Sequence, residues 1–267
     1  MDGAAQPMIH INDILSIGSG GLVGFALGLL GGGGSILAVP LLIYVVGMKD
    51  THLAIGTSAL AVAANAFANL VAHGRAGNVK WPCATVFAIS GVTGAAVGAA
   101  FGRMVDGQKL LFLFGLVMVA VAIAMLRPKR AEGDPGVRIN PAIAVRLIGI
   151  GLIAGLLSGF FGIGGGFLIV PAIMMGSGMA MLNVVGSSLV SVGAFGLTTA
   201  ISYAVAGLVD WRVAGFFILG GIIGGIAGTA LAGRLAAERA MLTRVFAAAV
   251  LAVAAFVLWR SAPGFFA

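Results

Sequence analysis

Gly31-Gly32-Gly33-Gly34-Ser35-Ile36-Leu37-Ala38-Val39-Pro40 and Gly162-Ile163-Gly164-Gly165-Gly166-Phe167-Leu168-Ile169-Val170-Pro171 are two versions of one decapeptide, 131 residues apart. Each interrupts a long apolar stretch and ends in Val-Pro. Glycine runs break helices, and the broken backbone exposes N–H and C=O groups. In a bilayer such groups are tolerated only where protein buries them or a wet cavity receives them.

The surroundings are membrane-like. The chain has 267 residues, of which 60% are hydrophobic and only 9% charged, and its mean hydropathy is +1.14. Soluble domains carry about 25% charged residues, so this chain cannot coat a globule with charge. Apolar segments fall at about 14–30, 36–46, 53–72, 84–102 and 110–126. After a polar, proline-containing stretch they resume at about 142–161, 167–175, 184–206, 213–231 and 245–258. No alternation of the kind that marks a transmembrane β-barrel is present. The fold class expected is an all-α polytopic membrane protein of two homologous repeats. Each has an interrupted, glycine-rich hairpin or broken helix plus three full spans, about eight transmembrane helices in all. The net charge of +7 comes from basic residues standing singly at span ends, so no nucleic-acid partner is expected. The lipid bilayer is the expected partner. Cys83 is the only cysteine, which excludes a disulfide framework. With no Lys or Arg before the first apolar run, no cleaved signal peptide is expected.

The duplication extends well beyond the decapeptide. Gly24 and Gly28 match Gly155 and Gly159 at the same offset of 131. After one deleted residue an offset of 130 maps Gly56-Thr57-Ser58 onto Gly186-Ser187-Ser188, Gly77 onto Gly207 and Trp81 onto Trp211. The organisation read from this is a tail (1–13), a first repeat (14–126), a central polar loop (127–141), a second repeat (142–260) and a C-terminal tail (261–267). Whether the halves are parallel or inverted depends on parity. If segment 14–46 enters and returns, each half crosses an odd number of times and the halves are inverted. If it is one bent helix, they are parallel. Arg127, Lys129, Arg130, Arg138 and Arg146 place the central loop in the cytoplasm. With that loop inside, Arg75, Lys80, Arg234 and Arg239 favour inversion, whereas Arg103 and Lys109 do not. Trp81 and Trp211 read as headgroup-level anchors.

The glycine runs carry the functional signal. Interrupted segments at matching places in two repeats are the best sequence pointer to a transporter's binding site. The uncapped N–H groups opening a half-helix, with about half a positive charge, suit an anion. The expected ligands of a small anion are therefore Gly32, Gly33, Gly34 and Ser35 in one half and Gly164, Gly165 and Gly166 in the other. The hydroxyls of Thr57, Ser58, Ser187 and Ser188 are expected to add to them. Glycine pairs spaced by four, such as Gly24/Gly28, Gly94/Gly98, Gly155/Gly159 and Gly224/Gly228, read instead as close helix packing. Asn65, Asn69 and Asn183 read as interhelical hydrogen-bonding groups, and His52 and His73 as interfacial residues.

Other chemistries find little support. No Asp or Glu lies mid-span to relay protons, and no GxxxxGK[ST] loop binds ATP. Ser158-Gly159 has the look of an intramembrane serine nucleophile, but no histidine follows it in the second half to act as base. No enzymatic activity, cofactor or metal is expected. A non-transporting membrane scaffold or an intramembrane enzyme is the alternative from another class, and a channel or an importer of another oxyanion or carboxylate the alternative within transport.

At these residues the chain resembles the TauE/SafE family of sulfite and organosulfonate exporters, also called TSUP. The likeness runs from about Ile14 to Leu258. It rests on Gly31–Pro40 with Gly56–Ser58, and on Ser158–Pro171 with Gly186–Ser188, where Ser187 stands for the family's usual threonine. The resemblance implies a bacterial-type carrier of small anions, with sulfite, sulfoacetate and related C2–C3 sulfonates as substrates. A homodimer is admitted by this reading.

Overall fold

The computed structural model describes residues 11–126, 134, 136–162, 166–234 and 239–266. They are almost entirely helical. Helix α1 (Ile11–Leu30) runs into a 3-10 helix (Gly31–Leu37) and then α2 (Ala38–Tyr44). Three long helices come next: α3 (Thr51–Arg75), α4 (Trp81–Gly102) and α5 (Gly107–Leu126). The second half repeats this order as α6 (Pro141–Phe161), α7 (Gly166–Ser177), α8 (Met181–Val205), α9 (Trp211–Arg234) and α10 (Arg239–Phe266). Among the described residues seven segments are long and apolar enough to cross a membrane, and Val250–Pro263 of α10 is a further apolar stretch.

The turns repeat as faithfully as the helices. Gly31, Gly47 and Gly77 adopt positive φ in the first half, and so do their counterparts Gly162, Gly178 and Gly207. Gly31 (φ 71°) reverses the chain after α1. Gly34 then lies against Ala26 and Leu27 of α1, so the interrupted segment folds back on itself. The second half makes the same return: Asp134, before α6, exchanges backbone hydrogen bonds with Gly178 and Ala180, which come after α7. Between Gly31 and Leu37 the expected half-helix is a 3-10 turn. Four consecutive residues without a Cβ favour no helix, and α-helix starts only at Ala38, with Pro40 in a first turn that needs no N–H.

This return settles parity. Gly56 on α3 meets Tyr203 and Leu208, Gly196 on α8 meets Ala59 and Ala63, and Gly186 meets Asn78. Helices α3 and α8 are therefore antiparallel although they are counterparts, so the two repeats are inverted. Their pairing is centred on Asn65 and Phe195, which the 130-residue offset relates.

Each half also clasps the other. Helix α1 packs in parallel on α9: a Cβ on Gly20, Gly24 or Gly28 would strike the backbone of Phe217, Gly221 or Gly225. Helix α6 packs likewise on α4, through Gly155 against Gly91 and Gly159 against Ala95. The packing expected of these glycines is what they do. The hairpin and helices α3 and α8 are the most enclosed, with 78%, 67% and 72% of their apolar windows buried, against 33–44% for α4, α5, α6 and α9. Those four turn residues such as Ile89, Leu116, Ile153 and Ile226 outward, as lipid-facing helices do. Trp81 and Trp211 are exposed at their span starts.

Candidate functional site

The two glycine breaks meet inside the molecule. A Cβ on Gly32 would collide with the backbone of Gly166, and one on Gly166 with the carbonyl of Gly32. Only glycine permits this approach. All residues from Gly31 to Pro40 are buried, as is Gly166. Gly164 and Gly165 lie outside the described residues.

The hydroxyls named with the breaks are all buried, but their hydrogen bonds divide them into two sets. Ser188 sits at the break itself: its Oγ accepts from the Gly32 N–H at 3.3 Å and donates to the Val185 carbonyl at 2.8 Å. Its counterpart Ser58 donates to the Ile55 carbonyl at 2.9 Å, and Ser35 donates to the Gly32 carbonyl at 3.0 Å. Thr57 and Ser187 do something else. Thr57 Oγ1 accepts from the Asp210 N–H and Ser187 Oγ from the Lys80 N–H, both at 2.9 Å. Asp210 and Lys80 are equivalent residues just ahead of α9 and α4. Each hydroxyl thus ties the entry of a helix in the opposite half, satisfying a donor that helix geometry leaves without an intrahelical partner.

Helix α3 carries a buried polar row facing α1 and α9. Asn69 Oδ1 accepts from Thr229 at 3.0 Å and its Nδ2 donates to the Asn65 carbonyl. His73 lies in the last turn of α3, at the span end expected of it, and is buried there, only 2% exposed. Its Nε2–H donates to the Gly28 carbonyl at 3.3 Å, leaving Nδ1 to accept from Asn78. The reason is that α3 runs on to Arg75 and turns His73 toward α1. The Asn65 side chain lies over Gly221, with neither of its amide atoms hydrogen-bonded among the described residues. Asn183 donates to the Asn78 carbonyl. In the second half its counterparts are Phe195, Thr199 and Tyr203, so the amides and the imidazole occur in the first half and two hydroxyls in the second. The i, i+4, i+8 spacing of Asn65, Asn69 and His73 was the sequence signal for it.

The chain matches the family described as sulfite exporter TauE/SafE over residues 16–257. A "Probable membrane transporter protein" of Xylella fastidiosa is 54% identical over 252 residues, covering 93% of this chain and 95% of the relative. One from Methanocaldococcus jannaschii is 31% identical, covering 72% and 71%. One from Bacillus subtilis is 25% identical, covering 79% and 85%. No solved structure matches it. A match that takes in both inverted halves and both glycine breaks, beside a relative of the same length named as a transporter, identifies the chain as a multi-pass membrane transporter belonging to the TauE/SafE sulfite exporter family.

Proposed function

We propose that this transporter exports a small sulfur oxyanion, sulfite or a C2–C3 organosulfonate, across the bacterial inner membrane, and binds it where the two glycine breaks meet. The observation that carries the proposal is the contact of Gly32 with Gly166 in the buried centre, which brings the opened backbone of both halves to one place. The first N–H groups of α7 and of the 3-10 turn have no acceptor within their own helices. In this reading Gly33 and Gly34 face Gly164, Gly165 and Gly166 across the anion, and Ser35, Ser58 and Ser188 turn their hydroxyls toward it as it arrives. Peptide dipoles avoid the roughly 2.5–3.5 kcal/mol that a charged side chain costs at a helix centre. They hold the anion weakly enough for release.

Inversion suits alternating access, because each half can present the same backbone to one side of the membrane. With the central loop in the cytoplasm, an inside-negative potential favours outward movement of an anion by about 2.3 kcal/mol per charge per 100 mV. Sulfite efflux from proteoliposomes, with the potential set by potassium and valinomycin, tests this. Efflux should rise as the interior is made negative. Flux that ignores potential and follows a pH gradient would overturn uncoupled export, and flux without saturation would identify a channel.

A further inference from the structure

On the face of the protein away from the central loop, the start of α3, the end of α4 and the end of α8 bring together three polar side chains that the scaffold leaves underused. Tyr203 is fully buried, and its hydroxyl has no hydrogen-bond partner among the described residues. The Arg103 guanidinium lies 5.9 Å from the centre of the Tyr203 ring; its terminal nitrogen donates to the Ser202 carbonyl at 3.0 Å, but Nε is buried with no partner among the described residues. The His52 ring lies 6.3 Å from that of Tyr203, with Nε2 held 3.1 Å from the Val105 carbonyl and Nδ1 buried, likewise with no partner among them. Buried polar atoms are rarely left unpaired, and three around one residue call for an explanation.

We infer that Arg103, Tyr203 and His52 form an anion-binding mouth on this face, a waystation for the same small oxyanion the central site carries; the inference rests on the transport reading above. Arg103 Nε–H and the Tyr203 hydroxyl are buried donors without an acceptor among the described residues. His52 adds a condition. Because Nε2 faces a carbonyl, it keeps its hydrogen, and Nδ1 carries a lone pair while the ring is neutral. An Nδ1 that carried a hydrogen would offer the anion a third donor.

The charged groups around the cluster do not compete for this role. Asp50 and Asp106 accept from N–H groups at the starts of their own helices, and Asp210 caps Val213. Arg212 is paired with Asp13, while Lys49 and Lys109 add further positive charge to the same face. No carboxylate lies within ion-pair distance of Arg103 among the described residues. The repeat offset does not reproduce the cluster on the opposite face: it maps Arg103 to Gly233, His52 to Leu182 and Tyr203 to His73, whose two ring nitrogens face Gly28 and Asn78.

The test uses the full chain in sided membrane vesicles, with ethanesulfonate, whose charge is constant across the pH range, and sulfite as probes. Y203F and R103Q should each raise KM about tenfold or more, the loss expected for one donor to an anion. From the face away from the central loop the loss should fall on KM, with Vmax within about twofold of the parent; from the other face it should fall on Vmax, because an uncoupled carrier keeps Vmax/KM equal in the two directions at zero potential. R103K should recover part of the loss. H52Q, which removes the ring nitrogen beside Tyr203, should also raise the KM for ethanesulfonate from that face. Folded, monodisperse Y203F and R103Q with unchanged KM from that face, or a loss that falls on Vmax from both faces, would overturn the mouth alone. A parent protein that moves neither probe would overturn the mouth together with the transport reading.

Discussion

Two buried hydroxyls show how little room this protein leaves at the scale of single residues. Thr57 and Ser187 each hold the first free N–H of a helix in the other half. Thr57→Val and Ser187→Ala leave a buried donor without its acceptor and should destabilise by about 1–3 kcal/mol each. Thr57→Ser and Ser187→Thr should retain most of the stability, as read by thermal unfolding in detergent. If these hydroxyls were substrate ligands only, KM would move and the melting temperature would not. Glycines make a second contrast. Gly24→Ala drives a methyl into the Gly221 carbonyl, whereas Gly18 has nothing within 4 Å of the same added atom. Gly24→Ala should cost about 1–3 kcal/mol or more and lower the yield of folded protein, while Gly18→Ala should be neutral or slightly stabilising.

At the scale of elements each break is defined by the helix it leans on as much as by its own glycines. Gly31 and Gly162 terminate α1 and α6 in the left-handed conformation, where a side chain adds about 1–2 kcal/mol of strain. Gly162 also lies against the Ile55 side chain of α3, so the second break is seated on a first-half helix. Gly162→Ala should therefore destabilise by more than its backbone strain. The double variant with Ile55→Ala should cost less than the sum of the two single changes, because removing Cγ2 relieves the overlap, and a double-mutant cycle on unfolding free energy reads the coupling. Simple additivity would mean that the two groups do not touch. The polar row of α3 belongs to this scale too, since Asn65, Asn69 and His73 are buried only because their common face is covered by α1 and α9.

For the whole molecule, inversion is the feature with an external consequence. Ala76 and Ala206, the equivalent exposed residues that close α3 and α8, lie on opposite faces. Single cysteines at these positions, in a background where Cys83 is replaced by serine, should react from opposite sides of the membrane. In intact cells a membrane-impermeant maleimide should label Ala206→Cys and spare Ala76→Cys; labelling of both would refute the inverted topology. The interlock of α1 with α9 and of α6 with α4 also means that neither half completes its packing alone. Movement between access states then has to slide glycine-lined helix pairs or rock them about the antiparallel α3 and α8.

What the amino-acid sequence determined by itself was everything that depends on local solvation and on comparison of one segment with another: a polytopic α-helical protein, its duplication, and the placing of the two breaks. Hydropathy acts on each apolar run separately, and a copied stretch stays legible as text. Tertiary structure alone decided that the breaks touch, that Thr57 and Ser187 hold backbone across the halves, and that His73 and Tyr203 are enclosed. These are contacts between residues some 45 to more than 150 positions apart. They exist because antiparallel α3 and α8 bring distant chain together at ångström range, and no local property of a helix encodes which neighbour will cover which face.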